Sequence, residues 1–322
     1  MTAFRKPLIA LAIGDPAGIS PELTARVVAL PEIREAATVA VIGDRRVFEQ
    51  GARVAGLSVE PEIFVDLANL DPTSIARGVA SREGGASALA NYRRALAMVS
   101  AGEAHAVCFT PFNKQAMRLA HAGYDDEIRF TAQEIGFTGT ATEFNILEGL
   151  WNARVTSHIP LKEVSAALDP EAILSALELT ATALEAAGFR PPRIGVAALN
   201  PHAGDGGNFG REEIDIIAPA VERAQAMGLP AEGPFPADTV FVRAKSGQFD
   251  AVLTMYHDQG QIAMKLLGFD RGVTLLGGFP FPICTPAHGT AYDIAGRGLA
   301  NVGAARAALL LAARMAAGAV TS

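Results

Sequence analysis

The sequence predicts an α/β protein with a largely parallel sheet, and two features of the 322 residues carry that prediction. Short apolar runs of strand length alternate with longer, helix-patterned segments along most of the chain. Half of the residues are hydrophobic and 19% are charged, the balance of an ordinary globular protein rather than a disordered or fibrous one.

Candidate strands are residues 8–13, 39–42, 63–67, 106–110, 144–147, 154–156, 194–198, 251–254 and 273–276. The first follows Arg5 and Lys6, a loose likeness to a secretory signal. The run is short, however, and Gly14, Asp15 and Pro16 stand where a cleavage site is expected, so a buried strand explains it better. Residues 87–100 read as a helix. The helix over 171–187 has Asp169 as its N-cap, Pro170 in the first turn, Gly188 as its stop and Pro191 beyond. Residues 212–227 form another. The apolar stretch 304–319 carries Arg306 and Arg314 and is shorter than the ~20 residues of a bilayer span, so it reads as a buried helix, at a subunit interface. The Gly/Pro-rich stretch 277–286 reads as a hinge or crossover. There is no internal repeat and no low-complexity linker.

A net charge of -7 and the absence of a long basic run exclude a non-specific nucleic-acid binder. Two cysteines, Cys108 and Cys284, support neither a disulfide framework nor a Cys-rich zinc module; buried, reduced thiols of a cytoplasmic protein fit them better.

In open α/β sheets ligands bind beyond the carboxyl ends of the strands. Three of the six histidines fall there: His158, His202 within Asn200-Pro201-His202-Ala203-Gly204-Asp205-Gly206-Gly207, and His257 within Tyr256-His257-Asp258-Gln259-Gly260. Three imidazoles at three strand ends suit one divalent metal with positions left open for substrate; singly, each reads more simply as structural. His105 and His121 read as ordinary residues.

Four further segments combine special backbone with polar groups. The turn Gly14-Asp15-Pro16-Ala17-Gly18-Ile19-Ser20-Pro21-Glu22 reads equally as an anion cradle at a helix N-terminus or as a structural turn. Thr110-Pro111-Phe112-Asn113-Lys114 offers a lysine, which a surface role also explains. Asp125-Asp126-Glu127-Ile128-Arg129 is a solvated charged loop or a carboxylate clamp through its arginine. His288-Gly289-Thr290-Ala291-Tyr292-Asp293-Ile294-Ala295-Gly296-Arg297-Gly298 has glycines that let a ligand approach the backbone. No G-x-G-x-x-G follows a strand, so a Rossmann site is not indicated.

In these segments the chain resembles the 4-hydroxythreonine-4-phosphate dehydrogenase family, within the isocitrate/isopropylmalate dehydrogenase-like fold. The likeness runs from Leu8 to about Gly303. It implies two α/β/α subdomains with a cleft between them: residues 1–140 plus 277–322 with the cofactor loop, and residues 141–276 with the metal ligands and a dimer interface. It implies NAD or NADP, with His288, Gly289, Thr290, Ala291 and Asp293 lining the adenosine side. It further implies one divalent ion (Zn, Co, Mg, Mn or Ni) on His158, His202 and His257. The implied partners are a β-hydroxy acid and a second copy of the chain, in a homodimer whose active site uses both subunits, with no nucleic acid and no membrane. Lys265 matches a family lysine. With Lys114 and Asp258 it is a candidate for orienting substrate or moving protons, and Asn200 is a candidate substrate contact.

The chain also departs from the family pattern. The usual Gly-His-Thr-Glu motif is absent near Asp126 and Arg129, Thr274 stands near a phosphate-binding asparagine, and Ile283 stands near a phosphate-binding arginine. A phosphate dianion against isoleucine and acidic residues would be costly. The expectation is therefore oxidation and decarboxylation of a non-phosphorylated β-hydroxy acid, cyclic forms included, such as terephthalate cis-dihydrodiol. Arg129 would take the distal carboxylate, residues 279–283 the ring, and Asp126 and Thr274 the rest. The alternatives are the family's own reaction in vitamin B6 synthesis, a sugar-acid phosphate, and a metal-dependent hydrolase or lyase without nicotinamide.

Overall fold

The apolar run after Lys6 forms a strand with four of its five residues buried. In the computed structural model, which describes residues 6–320, the strands are β1 (Leu8–Ala12), β2 (Thr38–Gly43), β3 (Ile63–Asp66), β4 (Ala106–Phe109), β5 (Thr142–Leu147), β6 (Leu150–Arg154), β7 (Ile194–Ala197), β8 (Ala231–Phe235), β9 (Ala251–Thr254), β10 (Val273–Gly277) and β11 (Ile283–Pro286). Arg5 lies outside the described residues. The fold is α/β, and the chain divides into two units: Met1–Thr142 with Val273–Ser322, and Glu143–Gly272.

The first unit has strand order β3-β2-β1-β4-β11-β10, parallel except for the antiparallel pair β10/β11. The second has order β5-β6-β9-β7-β8, parallel beyond the β5/β6 hairpin. Parallel strands buried on both faces read as unbroken apolar runs, which is why most of them are visible in the sequence.

Three strands differ from the sequence expectation. The stretch 277–286 contains strand β11, whose Ile283 and Cys284 pair in register with Val107 and Cys108 of β4. Its prolines disguise it as a hinge. Strand β8 contains Gly233 and Pro234 and lies at the sheet edge, where proline is tolerated. Strand β6 lies at Leu150–Arg154 instead of 154–156. Its Asn152 and Arg154 are buried polar residues that break the apolar pattern; Arg154 donates from Nη1 to Asn145 and from Nη2 to Glu143, both at 2.7 Å, while its Nε has no partner.

Helix Pro170–Ala186 begins as its capping signals predict, with the Asp169 carboxylate accepting from the Ala172 N–H at 2.9 Å. Helix Arg82–Ser100 starts five residues before the predicted 87–100, capped by Ser81, because Gly84 and Gly85 lie within it. Gly85 is there for contact, since a Cβ would lie 2.0 Å from the Ala116 carbonyl of helix Lys114–Ala120. The predicted helix 212–227 opens as a wide π turn at Glu213–Ile217 and continues as an α-helix over Ala218–Ala226. The final helix is Gly303–Val320, and among the described residues no helix is long and apolar enough to cross a membrane. Cys108 and Cys284 are buried and free.

Replacing Gly85 with alanine should lower stability by about 1–3 kcal/mol despite the better helix propensity, because backbone at 2.0 Å cannot yield as a side chain would. Denaturant unfolding measures this, as a lower midpoint at unchanged slope.

Candidate active site

Two strand exits in the second unit make a pocket. Strands β6 and β9 run parallel, with Arg154 opposite Thr254, so both chains leave the sheet at the same end. They stay together for two more residues. The Val155 N–H donates to the Thr254 carbonyl at 2.9 Å. The Thr156 N–H and hydroxyl both donate to the Met255 carbonyl, at 3.1 and 2.7 Å. His158 and His257 therefore emerge side by side, with ring centroids 5.5 Å apart and planes tilted by 40°. They border an open cavity of about 400 Å³ with Thr156, Ser157, Tyr256 and Asp258.

That spacing suits two imidazoles sharing one ion, since a nitrogen sits about 2.0–2.1 Å from such a metal. Asp258 helps: its carboxylate lies 2.7 Å from Nδ1 of His257 and accepts from it, which leaves Nε2 with its lone pair for a cation. His158 holds this place with φ +52°, a left-handed conformation that costs a β-carbon residue about 1 kcal/mol or more.

His202 is in the same unit but not among the cavity-lining residues, and among the described residues no three His, Cys, Asp or Glu side chains are grouped to hold a metal. It stands on a strained turn in which His202, Ala203, Gly204, Asp205 and Gly206 all have positive φ. Buried Glu213 holds the turn, one oxygen accepting from the Leu199 and Asn200 N–H groups, both at 2.8 Å. The Asn200 NH2 donates to Glu212 and Glu213 at 2.7 and 3.0 Å, which fixes this side chain against the loop.

Gln259, within the motif Tyr256–Gly260, has a role that spacing alone does not display. Its Oε1 accepts from the Met255 N–H at 2.7 Å and its Nε2 donates to the Ala198 carbonyl at 2.8 Å. It thus ties the exit of β9 to the stem of the His202 loop. Gly260 follows because helix His257–Gly268 crosses β6 closely; a Cβ there would lie 2.1 Å from Oδ1 of Asn152. Lys265 is exposed on that helix.

In the first unit the two glycine-containing loops meet. The Ile19 N–H donates to the Thr290 carbonyl at 3.0 Å, and the Tyr292 hydroxyl donates to Asp15. Asp15 is buried, which raises its carboxyl pKa above the usual range, and burial beside Asp15 pushes the Tyr292 phenol up as well. The contact favours a structural turn at residues 14–22 over an anion cradle. Thr290 is buried, His288 half-buried, and Gly289 and Asp293 exposed, while Ala291 has φ +44°. Lys114 pairs with Glu127 at 3.4 Å. His105 is structural, its Nδ1 accepting from the Leu8 N–H at 3.0 Å.

A family model described as pyridoxal phosphate biosynthetic protein PdxA matches residues 35–312. The chain belongs to the PdxA family. A relative from Rhizobium meliloti, provisionally named 4-hydroxythreonine-4-phosphate dehydrogenase 2, is 62% identical over 98% of this chain and 95% of its own. D-threonate 4-phosphate dehydrogenase of Pectobacterium atrosepticum is 35% identical over 91% of this chain and 94% of its own. The crystal structure of 4-hydroxythreonine-4-phosphate dehydrogenase from Klebsiella pneumoniae superposes with a TM-score of 0.84 at 34% identity, covering 98% of this chain and 99% of that one. A terephthalate 1,2-cis-dihydrodiol dehydrogenase from Burkholderia xenovorans superposes less well, at 0.67 and 30% identity over 94% and 96% of the two chains.

These relatives overturn the expectation of a non-phosphorylated dihydrodiol, and this PdxA chain supplies physical reasons. Ile283 is fully buried in β11 and joins the core, so its apolar nature says nothing about a ligand. Phe279 and Phe281 are half-buried and pack against the same core, which accounts for their apolar nature without a ligand. Asp126 is a helix N-cap, accepting from the Arg129 N–H at 2.8 Å, and the exposed Arg129 side chain pairs with Asp125. Thr274 is half-buried opposite Thr285.

Changing Gln259 to alanine should cost about 1–3 kcal/mol by stranding the Met255 N–H and the Ala198 carbonyl. Hydrogen exchange should then quicken at Met255 while the β1 and β2 amides are unaffected.

Proposed function

We propose that this PdxA chain oxidises a phosphorylated β-hydroxy acid of the 4-hydroxythreonine-4-phosphate or D-threonate 4-phosphate type, with loss of carbon dioxide. A nicotinamide dinucleotide accepts the hydride, and His158 and His257 hold a divalent cation. The dehydrogenase class, acting on a CH–OH group, follows from the family and its named members. The observation that carries the site assignment is the pair of imidazoles 5.5 Å apart at two parallel strand exits. A hydrolase or lyase finds no support among relatives named as dehydrogenases.

A cation held there would lower the pKa of a substrate hydroxyl and polarise the carbonyl that replaces it. The chain's own groups do the rest. Asp258 fixes the tautomer and tilt of His257. The Thr156 hydroxyl is spent on Met255, so it braces the cavity wall and does not face substrate. In the second unit Lys265 and in the first unit Lys114, paired with Glu127, are the candidates for proton movement and carboxylate contact. Thr274 offers a hydroxyl donor to the substrate. His288, Gly289, Thr290, Ala291 and Asp293 receive the adenosine end of NAD or NADP. Because His202 does not line the cavity of one chain, a homodimer whose sites draw on both subunits accounts for a third ligand better than a monomer does.

The test is nicotinamide reduction by the chelator-treated protein, resupplied with Mg²⁺, Mn²⁺, Co²⁺, Ni²⁺ or Zn²⁺, on 4-hydroxythreonine-4-phosphate, D-threonate 4-phosphate and their dephosphorylated forms. The expected result is metal-dependent turnover, with kcat/KM lower by about 100-fold or more without the phosphate, since remote charge-assisted contacts supply that binding. His257→Ala should lose the bound metal and the activity with its fold retained. Equal turnover of phosphorylated and dephosphorylated substrates would overturn the substrate assignment. Normal metal content in His257→Ala would overturn the metal site.

A further inference from the structure

The loop 288–300 contains one short turn of regular structure, Tyr292–Ile294, yet it is clamped at both ends by one continuous segment. That segment is the turn 14–19 together with helix Ser20–Val28. At the near end Asp15 accepts the Tyr292 hydroxyl on one carboxylate oxygen and the Ala17 N–H, at 2.9 Å, on the other. The Ile19 N–H holds the Thr290 carbonyl, and Gly18 makes room for it, since a Cβ would come within 2.6 Å of that oxygen. At the far end Arg26 Nη2 donates to the Gly298 carbonyl at 2.7 Å. Glu22 Oε1 accepts from the Ala300 N–H at 3.0 Å and from Arg26 Nε at 2.9 Å. Asp15 and Glu22 are 1% and 2% exposed, and Oε2 of Glu22 has no hydrogen-bond partner.

Burying two carboxylates is expensive, and neither is used by the chemistry above. What both do is hold loop backbone, Asp15 through Tyr292 and Glu22 through Ala300 and Arg26. We propose that Asp15 and Glu22 are positioning residues that preorganise the 288–300 loop for the dinucleotide, with Tyr292 as the latch at one end and Arg26 as the latch at the other. The inference rests on the reading of this loop as the cofactor site. A loop ordered in advance does not lose that conformational freedom on binding, so the clamp acts on cofactor affinity and not on the chemical step.

Tyr292→Phe removes one hydroxyl and keeps the ring. Calorimetry with NAD and NADP on the full-length protein, together with steady-state kinetics, gives the readouts. The expected result is a rise of about tenfold in Kd and KM for the dinucleotide, with kcat within about twofold and divalent-metal affinity unchanged; tenfold is about 1.4 kcal/mol, the worth of one buried hydrogen bond. Arg26→Met should raise the same constants by releasing Gly298, and it decides the matter if Tyr292→Phe is unstable. Asp15→Asn should stay near wild type, because its amide oxygen can accept from the Ala17 N–H while its NH2 donates to the Tyr292 oxygen, whereas Asp15→Leu should not. Wild type that binds the dinucleotide no more tightly than Tyr292→Phe and Arg26→Met would overturn the clamp. Wild type that binds neither NAD nor NADP would instead overturn the assignment of the loop as a cofactor site.

Discussion

The pairing of β6 with β9 is the constraint on which the candidate active site depends. Parallel strands deliver their carboxyl ends to one edge, and the register Arg154 to Thr254 sets how far along each chain the edge falls. A slip of one residue would turn every side chain of one strand to the opposite face. Thr156 extends the pairing past the sheet by donating twice to the Met255 carbonyl, and the two histidines then follow two residues later on each side. Their proximity is thus a property of the sheet, transmitted through backbone, and owes little to the loops themselves.

Strain and buried polarity accompany this arrangement. His158, His202, Ala203, Asp205 and Ala291 all hold positive φ, and all belong to the segments with chemical potential. Left-handed conformations of such residues persist only where the surroundings over-determine them. Here the surroundings are polar groups, buried or half-buried: Glu213 under the 199–207 loop, half-buried Gln259 between two strand exits, and Asp15 and Glu22 beneath the 288–300 loop. Each acts as a hydrogen-bond hub for backbone that no regular element satisfies, so the polar atoms are placed where a helix or sheet ladder is missing.

Much of the fold was legible because strands buried on both faces write themselves as apolar runs and because Asp169 and Pro170 announce a helix start. What was hidden was hidden for local reasons. Strand β11 carries prolines that resemble a hinge, β6 carries buried Asn152 and Arg154, and Gly84 and Gly85 look like breakers until the helix passing beside Gly85 is seen. In the site, the placement of histidines at strand ends was visible, while the division between His158 with His257 and the separate His202 was not, since spacing carries no distance. The substrate class is hidden for a related reason. In the sequence Ile283 and Phe279 look as though they face a ligand, but which way a residue in a proline-rich segment points is set by packing and strand pairing that the sequence does not display. Asp126 is the same lesson at a helix start, where an acidic residue ahead of a helix is first of all a cap.

The central claim is that β6 and β9 deliver His158 and His257 to one cation, and cobalt(II) tests it most directly. Crystals of the protein loaded with Co²⁺, measured at the cobalt edge, should give an anomalous peak about 2.1 Å from a ring nitrogen of both His158 and His257, with Nδ1 of His257 still turned to Asp258. An anomalous peak bound to neither histidine, or to one of them alone with the other ring turned away, would contradict the account.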